Sequence, residues 1–244
     1  MGRAHEVRAA SMAKTAATKS KLYARYGKEI FIAAKSGVAD PSMNLTLARK
    51  IKEAKANQVP ADVIKRAVER AKGGDSANYD ECRYEGFGPN GSTIIIDCLT
   101  DNTNRSLTDV KSAFNKTHDC KLAGAGAVSF GYNRYGVFEF ETDKTADELM
   151  ELLLMAEVDL SDATVEDGYA EIYVNPSDFN KASEALEAEL GEIKYEKNEI
   201  GMVPNEWVTL TSENDIAAYN KLMTLLNDVD DVDKVYTNII VEGE

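Results

Sequence analysis

Residues 84–91 read Y-E-G-F-G-P-N-G, and a strongly apolar run, Thr93–Ile96, follows almost at once. Glycine-rich loops beside strands often cradle phosphates, so this stretch raises the question of a nucleotide site. A P-loop would place a lysine between its last glycine and the hydroxyl residue, whereas Ser92 follows Gly91 directly. A dinucleotide-binding loop would follow a strand and open a helix, whereas these glycines come before a strand.

The residues at 89–91 favour a structural interpretation of the same stretch. Proline presets φ for a turn, and an Asn-Gly pair tolerates positive φ at little cost. The stretch at 84–91 therefore predicts a tight turn that leads into a sheet, and no nucleotide site.

Charge is distributed very unevenly along the 244 residues, whose net charge is −14. Residues 1–72 hold 16 Lys and Arg against 6 Asp and Glu, a net charge of +10. Residues 73–244 hold 12 against 36, a net charge of −24. An asymmetry of this size favours a nucleic-acid-binding arm on an acidic body over a chance excess of surface lysines.

The basic segment has the apolar periodicity of three helices. Leu22, Tyr26 and Ile30 recur at helical spacing, Asn44 can cap a second helix, and Pro60 suits the first turn of a third. The apolar stripes are narrow and rich in alanine, so most of the surface is left to cations. The predicted nucleic-acid-binding residues are Arg3, Arg8, Lys14, Lys19, Lys21, Arg25, Lys28, Lys50, Lys52, Lys65, Arg66 and Lys72.

After a linker at 73–78, the pattern changes to alternating strands and helices. Residues 134–205 predict the order β-α-β-β-α-β, which is the ferredoxin-like unit. A strand–helix–strand at 92–132, in which Gly124–Phe130 leads into the second strand, and another at 206–241, whose first strand spans 206–211, would complete a second such unit. The sequence predicts an α+β fold with three domains, namely a basic helical domain (1–77), a discontinuous ferredoxin-like domain (78–133 plus 206–244) and an inserted ferredoxin-like domain (134–205).

A loop between a strand and a helix offers a possible anion site at Asn102, Asn104 and Arg105. Backbone N–H groups at a helix N-terminus attract anions, and a nearby guanidinium would add to that attraction. The alternative is ordinary helix capping, for which Asp and Asn are preferred residues. The sequence leaves both interpretations open.

Signals for an enzyme, a cofactor or a metal are weak. His5 and His118 lie far apart, which disfavours a zinc cluster, and the acidic run at 228–233 lacks the glycine and terminal glutamate of an EF-hand loop. The only pairing on offer for nucleophilic catalysis is Cys120 with His118, and an idle loop cysteine explains it as well. We therefore expect a protein that is not an enzyme, with no cofactor and no metal site.

The remaining composition indicates a cytoplasmic protein. No apolar run approaches the roughly 20 residues needed to span a bilayer. The N-terminus is charged and has no apolar core behind it, so a secretory signal is not expected. The three cysteines, Cys82, Cys98 and Cys120, form no C-x-x-C pair, and their odd number argues against a disulfide framework.

With the loop at 100–105 (T-D-N-T-N-R), the opening stretch resembles the YebC family, which includes bacterial regulators and the mitochondrial translational activator of cytochrome c oxidase. The likeness extends to N-Q-V-P at 57–60, A-V-E-R-A-K-G-G at 67–74 and G-A-G-A-V-S-F at 124–130. The start of the chain and Y-A-R-Y-G-K-E-I at 23–30 are most similar to the YeeN-type branch. Two segments depart from the family pattern: residues 4–7 replace its usual Lys-Trp, and residues 116–123 replace a glycine-rich loop.

The resemblance implies a three-domain cytoplasmic protein without catalytic residues. Family members are described as DNA-binding transcriptional regulators and as ribosome-associated factors that help translation through proline-rich stalls. Our leading hypothesis is a non-enzymatic nucleic-acid-binding regulator, monomeric, whose basic helices contact DNA or ribosomal RNA backbones while the acidic body faces protein partners. The resemblance slightly favours a role at the ribosome over DNA-binding regulation. The alternative is an interaction adaptor that uses the acidic body without direct nucleic-acid contact.

Overall fold

The computed structural model of the protein describes residues 16–74 and 79–241. Within these ranges the chain forms seven α-helices and ten strands, arranged in two four-stranded antiparallel sheets and one two-stranded parallel pair. The helices are α1 (Ala16–Lys35), α2 (Leu45–Ala56), α3 (Ala61–Lys72), α4 (Thr103–Asn115), α5 (Ala146–Met155), α6 (Phe179–Leu190) and α7 (Glu213–Asn227). The strands are β1 (Asp80–Phe87), β2 (Thr93–Thr100), β3 (Lys121–Ala123), β4 (Tyr132–Glu141), β5 (Leu160–Glu166), β6 (Tyr169–Val174), β7 (Tyr195–Pro204), β8 (Val208–Leu210), β9 (Val232–Thr237) and β10 (Ile239–Val241).

Helices α1 to α3 pack around one small apolar core. Its largest fully buried side chains are Ile30 and Phe31 of α1 and Leu47 of α2. The Asn44 side chain caps α2 by accepting a hydrogen bond from the Leu47 N–H at 3.0 Å. Its amide group also donates to the carbonyl of Ala33 at 2.8 Å, which ties the start of α2 to the end of α1. The three predicted helices are therefore present in the described part of the N-terminal region.

The opening stretch of sequence is half strand and half turn. Residues 84–87 belong to β1, which pairs with β2 along its whole length, so the prediction of a turn was wrong there. The turn is confined to 88–92, where Asn90 and Gly91 have φ values of 53° and 69°. Gly86 is required for packing, since a Cβ there would lie 2.5 Å from the ring of Phe114.

The first sheet has the strand order β3-β1-β2-β9, and all of its pairs are antiparallel. The sequence predicted a strand at 206–211 in this sheet, and that prediction was wrong. Strand β1 occupies the place, because its tight turn pairs it with β2 at once. Strand β8 forms a separate two-stranded parallel pair with β10. Residues 124–130 form a loop, and the second strand of this half, β3, comes just before it.

The second sheet has the strand order β5-β6-β4-β7, again with antiparallel neighbours. This is the order expected from a β-α-β-β-α-β unit, with α5 and α6 covering one face. Phe138, Phe140, Ile172 and Leu153 fill the space between helices and sheet. The Thr145 side chain and Glu148 form a reciprocal capping box that fixes the start of α5.

The division into three domains at the stated boundaries stays a prediction. Within the described residues, no helix is both long and apolar enough to cross a membrane.

Candidate nucleic-acid interface

Three cations of α1 form a surface that is turned toward the α/β body. Lys21, Arg25 and Lys28 lie at i, i+4 and i+7 and so share one side of the helix. We call these three residues the docked face. The Lys28 ammonium donates to the carbonyls of Asp230 at 2.9 Å and Leu99 at 3.2 Å.

The partners of the docked face lie mostly at residues 227–233, where α7 ends. Lys21 donates to the carbonyl of Asn227 and, at 2.6 Å, to that of Val229. Arg25 forms an ion pair of 3.2 Å with Asp233. The run D-V-D-D-V-D at 228–233, which we call the acidic loop, thus receives the docked face. Cations are favoured at a helix C-terminus because unpaired carbonyls carry partial negative charge there.

Asp231 is the most heavily used anion of the acidic loop, and only 4% of its surface is exposed. Its carboxylate accepts from the Thr100 hydroxyl at 2.9 Å and from the Arg105 guanidinium at 2.8 Å. The Lys28 ammonium lies 3.5 Å away. One buried carboxylate therefore joins the helical region, strand β2 and the start of α4.

The predicted anion site occupies this same region. The Asn102 side chain caps α4 by accepting from the Arg105 N–H at 3.0 Å. The Arg105 guanidinium also pairs with Asp101 at 2.8 Å, and hydrogen bonds from it to Asp231 and Asp101 raise its pKa. Asn104 is exposed in the first turn of α4. These contacts favour the capping interpretation, because the guanidinium already has two carboxylate partners.

A network of half-buried charges continues from Arg25 into α2. Glu29 lies 3.1 Å from Arg25 and 3.0 Å from Lys50. Burial alone would raise the pKa of Glu29, but Lys50 and Arg25 outweigh it and hold that pKa below its ordinary value. Burial raises the pKa of Asp233 to about 6, although Arg25 opposes the effect. Lys50 is therefore part of the packing between α1 and α2.

Helix α2 contacts α6, one of the two helices that cover the second sheet, through two further cations. Lys52 forms an ion pair of 2.6 Å with Glu187 of α6. Arg49 donates to the side chain of Asn180, and its guanidinium lies 5.7 Å from the centre of the Phe179 ring. Lys52 therefore also has a partner on the body.

Helix α3 has a different arrangement. Its inner side chains, Ile64, Ala67 and Val68, are buried against α1 and α2. We call its predicted contact residues, Lys65, Arg66 and Lys72, the open face, because all three are exposed and none contacts the described α/β body in an ion pair. Among the described residues, two of them pair within the helix: Arg66 with Asp62 at 2.6 Å and Lys72 with Glu69 at 3.6 Å.

Four of the predicted contact residues belong to neither the docked face nor the open face. Arg3, Arg8 and Lys14 lie outside the described residues. Lys19 lies in the first turns of α1.

One anion-binding loop was missed by the sequence analysis. Residues 124–129 curl around the carboxylate of Glu85, which accepts from the N–H groups of Gly126 at 2.9 Å, Val128 at 2.7 Å and Ser129 at 3.0 Å. The alternating glycines of G-A-G-A are the signal that could have revealed it. A glycine-rich loop does cradle an anion in this protein, and that anion is a side chain of the opening stretch.

The fold and these surfaces define a class: a basic helical module seated on an α+β body, with no cluster of metal-ligating side chains in the part of the chain that the structure describes. Two family models match the chain. The model for the TACO1/YebC protein N-terminal domain matches residues 3–74, and that for the TACO1/YebC second and third domain matches residues 79–239. The chain therefore belongs to the TACO1/YebC family.

Relatives and one solved structure agree with this assignment. A probable transcriptional regulatory protein of Acholeplasma laidlawii is 47% identical over 244 residues, which is 100% of both chains. Another from Pseudoalteromonas translucida is 45% identical over 243 residues, again 100% of each. The crystal structure of a conserved hypothetical protein from Aquifex aeolicus matches with a TM-score of 0.79 at 29% identity, covering 95% of this chain and 94% of the other.

Proposed function

We propose that this protein is a non-enzymatic regulator of gene expression that holds nucleic-acid phosphates with the open face of α3. The names of its relatives, probable transcriptional regulatory proteins, support a regulatory role. The observation that carries the proposal is the exposure of Lys65, Arg66 and Lys72 on a helix whose other side is buried. Lysine and arginine side chains in this position can reach phosphates without breaking any contact to the body.

The docked face plays a structural part in this proposal. Lys21, Arg25 and Lys28 already pair with the acidic loop, and withdrawing them would remove charged donors from the carbonyls of Val229 and Asp230 and from the half-buried carboxylate of Asp233. Phosphate contacts give affinity with little sequence specificity, so target choice must come from elsewhere in the assembly. The acidic body suits a protein partner and repels nucleic acid that approaches from the wrong side.

The target is DNA or ribosomal RNA, and we favour RNA at the ribosome slightly, through the resemblance to family members that act on proline-rich stalls. The protein would then act as a cytoplasmic monomer. Both targets present the same phosphate chemistry to the open face.

The test uses the full chain with Lys65, Arg66 and Lys72 changed together to Gln. A matched control changes three exposed lysines of the body, Lys181, Lys194 and Lys221, to Gln, so that both variants lose three positive charges. Binding of a fluorescent duplex is measured by anisotropy across a series of salt concentrations. We expect at least a tenfold loss of affinity for the first variant and a salt slope smaller by up to about 2.7, at roughly 0.9 per lost phosphate contact.

The control variant should change affinity less than threefold. Equal losses in the two variants would show that only net charge matters and would overturn the proposal. Unchanged binding in both would show that another surface holds the duplex and would also overturn the proposal, whereas no binding by the wild-type protein would favour the adaptor that acts through the acidic body. Sedimentation of wild-type protein with ribosomes in a ribonuclease-sensitive manner, set against a specific DNA footprint, separates the two targets.

A further inference from the structure

A basic segment lies within the acidic body. Residues 110–138 contain four of the twelve Lys and Arg of residues 73–244 but only one of their 36 Asp and Glu. The segment comprises the end of α4, strand β3, the glycine-rich loop and the start of β4. The one acidic residue is Asp119, and the cations are Lys111, Lys116, Lys121 and Arg134. Lys111 and Lys116 lie on α4 and at its end, and that helix packs against the Gly86 side of β1, whereas Lys121 of β3 faces the other side of the sheet.

The sheet register places an exposed aromatic ring beside one of these cations. Phe87 lies directly opposite Lys121 in the antiparallel pair of β1 and β3. Paired residues point to the same side of a sheet, and Phe87 shares that side with Glu85 because side chains alternate along a strand. Phe87 is 40% exposed and Lys121 is exposed. The ring and the ammonium therefore border the loop that Glu85 holds.

That loop presents a second and more exposed ring. Phe130 is 82% exposed, although phenylalanine usually lies inside a protein. Its neighbour Ser129 donates its N–H to the Glu85 carboxylate at 3.0 Å. On the other side, Gly131 accepts from the N–H of Asn205 at 2.9 Å, and the next residue, Tyr132, is buried.

The backbone on both sides of Phe130 is thus fixed while its ring faces solvent. A buried carboxylate holds the preceding residues through three N–H groups. A ring on a rigid support loses little conformational entropy when it binds a flat partner. Phe130 fills no part of the described apolar core, so folding alone does not account for a phenylalanine there.

From this arrangement we propose that Phe130, on the loop that Phe87 and Lys121 border, stacks on unpaired bases of a single-stranded nucleic acid. Aromatic rings interleaved with cations are the elements with which proteins hold single strands: the rings take the base faces and the cations take the phosphates. The exposed ammonium of Lys121, which lies on the same side of the sheet as Phe87, favours nucleic acid over an apolar protein segment, which would gain nothing from it. This inference rests on the proposed function, to which it adds a second, single-strand contact on the body.

The test measures the full chain against a 12-nucleotide single-stranded RNA and a duplex in parallel. Phe130→Ala should weaken single-strand binding by about 5- to 150-fold, the range that corresponds to 1–3 kcal/mol for one stacked base. Met155→Ala is the matched control, since Met155 is 80% exposed at the end of α5 and lies outside the basic segment. Lys121→Gln should lower the single-strand salt slope by about 0.7.

A spectroscopic variant tests stacking itself. Phe130→Trp should keep its affinity for the single strand, and its added tryptophan fluorescence should be quenched on binding. The corresponding wild-type signal comes only from Trp207. Retained single-strand affinity in Phe130→Ala, or a loss no greater than that of Met155→Ala, overturns the inference in favour of a protein-facing role.

The two proposals fail separately. Loss of duplex binding when the open face is neutralised, together with unchanged single-strand binding in Phe130→Ala, would refute the stacking site and leave the proposed function intact. The reverse pattern would refute the role of the open face. Because Phe130 is exposed, its variants should melt within a degree or two of wild type, so that a failure to fold does not obscure the result.

Discussion

The docked face on α1 and the open face on α3 are made of the same residue types in the same basic segment, yet they differ in what they contact. Lys21, Arg25 and Lys28 meet carbonyls and carboxylates of the body. Lys65, Arg66 and Lys72 point outward from a helix whose inner side is buried. A count of cations in a sequence therefore measures charge, and says little about which charges are free to bind a ligand.

The difference follows from what lies opposite each helix. Helix α1 runs past the acidic loop, where α7 ends and its last carbonyls lack helical partners. Acidic side chains in the same loop add full charges to these partial ones. Helix α3 has apolar contacts on its inner side and no such loop facing its outer side in the described structure.

The largest effect is expected from removing the carboxylate of Asp231, which contacts both Lys28 of the docked face and Arg105. Asp231→Asn should lower the free energy of unfolding by about 3 kcal/mol, because it leaves Lys28 and Arg105 near one another without their shared carboxylate. Urea denaturation measures the effect. Asp230→Asn is the control, since Asp230 is exposed and contributes its carbonyl to Lys28. Equal effects in the two variants would show that general loop charge, and not the Asp231 contacts, holds the helices.

Glu85 allows the same comparison, between a contacted and an exposed charge, to be made for an anion. Glu85→Gln should cost about 2 kcal/mol at neutral pH, because three N–H groups lose a charged acceptor. Glu81→Gln, on the same strand but exposed, should change stability by less than about 0.5 kcal/mol. Guanidinium denaturation of both variants provides the measurement.

The cost of Glu85→Gln should also depend on pH. Burial acts to raise the pKa of Glu85, but the hydrogen bonds from Val128, Gly126 and Ser129 outweigh it and place that pKa below its ordinary value. A lowered pKa gives stability that is fully present above the unfolded value, about 4.3, and is lost as the pH falls through the folded value. The gap between wild type and variant should therefore narrow below about pH 4. A gap that widens on acidification would contradict the assignment.

A matched pair of single substitutions compares the two faces directly. Lys28→Met should cost about 1 kcal/mol, because carbonyls of Leu99 and Asp230 lose a charged donor while the methionine still packs. Lys65→Met should leave the thermal midpoint nearly unchanged, since Lys65 is exposed. If both variants lose the same stability, the distinction between docked and open cations fails.

An exposed ion pair between α2 and the body, outside the docked face, should give the lower limit of the comparison. The ion pair of Lys52 with Glu187 is largely solvent-exposed, and a double-mutant cycle to Met and Gln should give a coupling of about 0.2–1 kcal/mol. The coupling should fall when the salt concentration rises, because exposed pairs are screened. A coupling that is unchanged at high salt would indicate a buried contact.

Much of the fold was predictable from local patterns. The three helices of the basic segment and the β-α-β-β-α-β order of residues 132–204 follow from apolar periodicity and from turn residues, which act over short distances. The first sheet was less predictable, because β1 and the expected strand at 206–211 competed for one place beside β2. The short turn at 88–92 decided in favour of β1, since it closes a small loop at low entropic cost.

The candidate sites divide along the same line. The sequence alone revealed a basic arm, an acidic body and the poor match of Y-E-G-F-G-P-N-G to a P-loop, because these features depend only on residue identity and spacing. Only the tertiary structure decided that Lys28 of α1 contacts the acidic loop, that the Glu85 carboxylate binds the Gly124–Ser129 loop and that Phe130 faces solvent. The physical reason is that a charge or a ring has a defined role only once its neighbours are known, and here the neighbours lie 40 to more than 200 residues away along the chain.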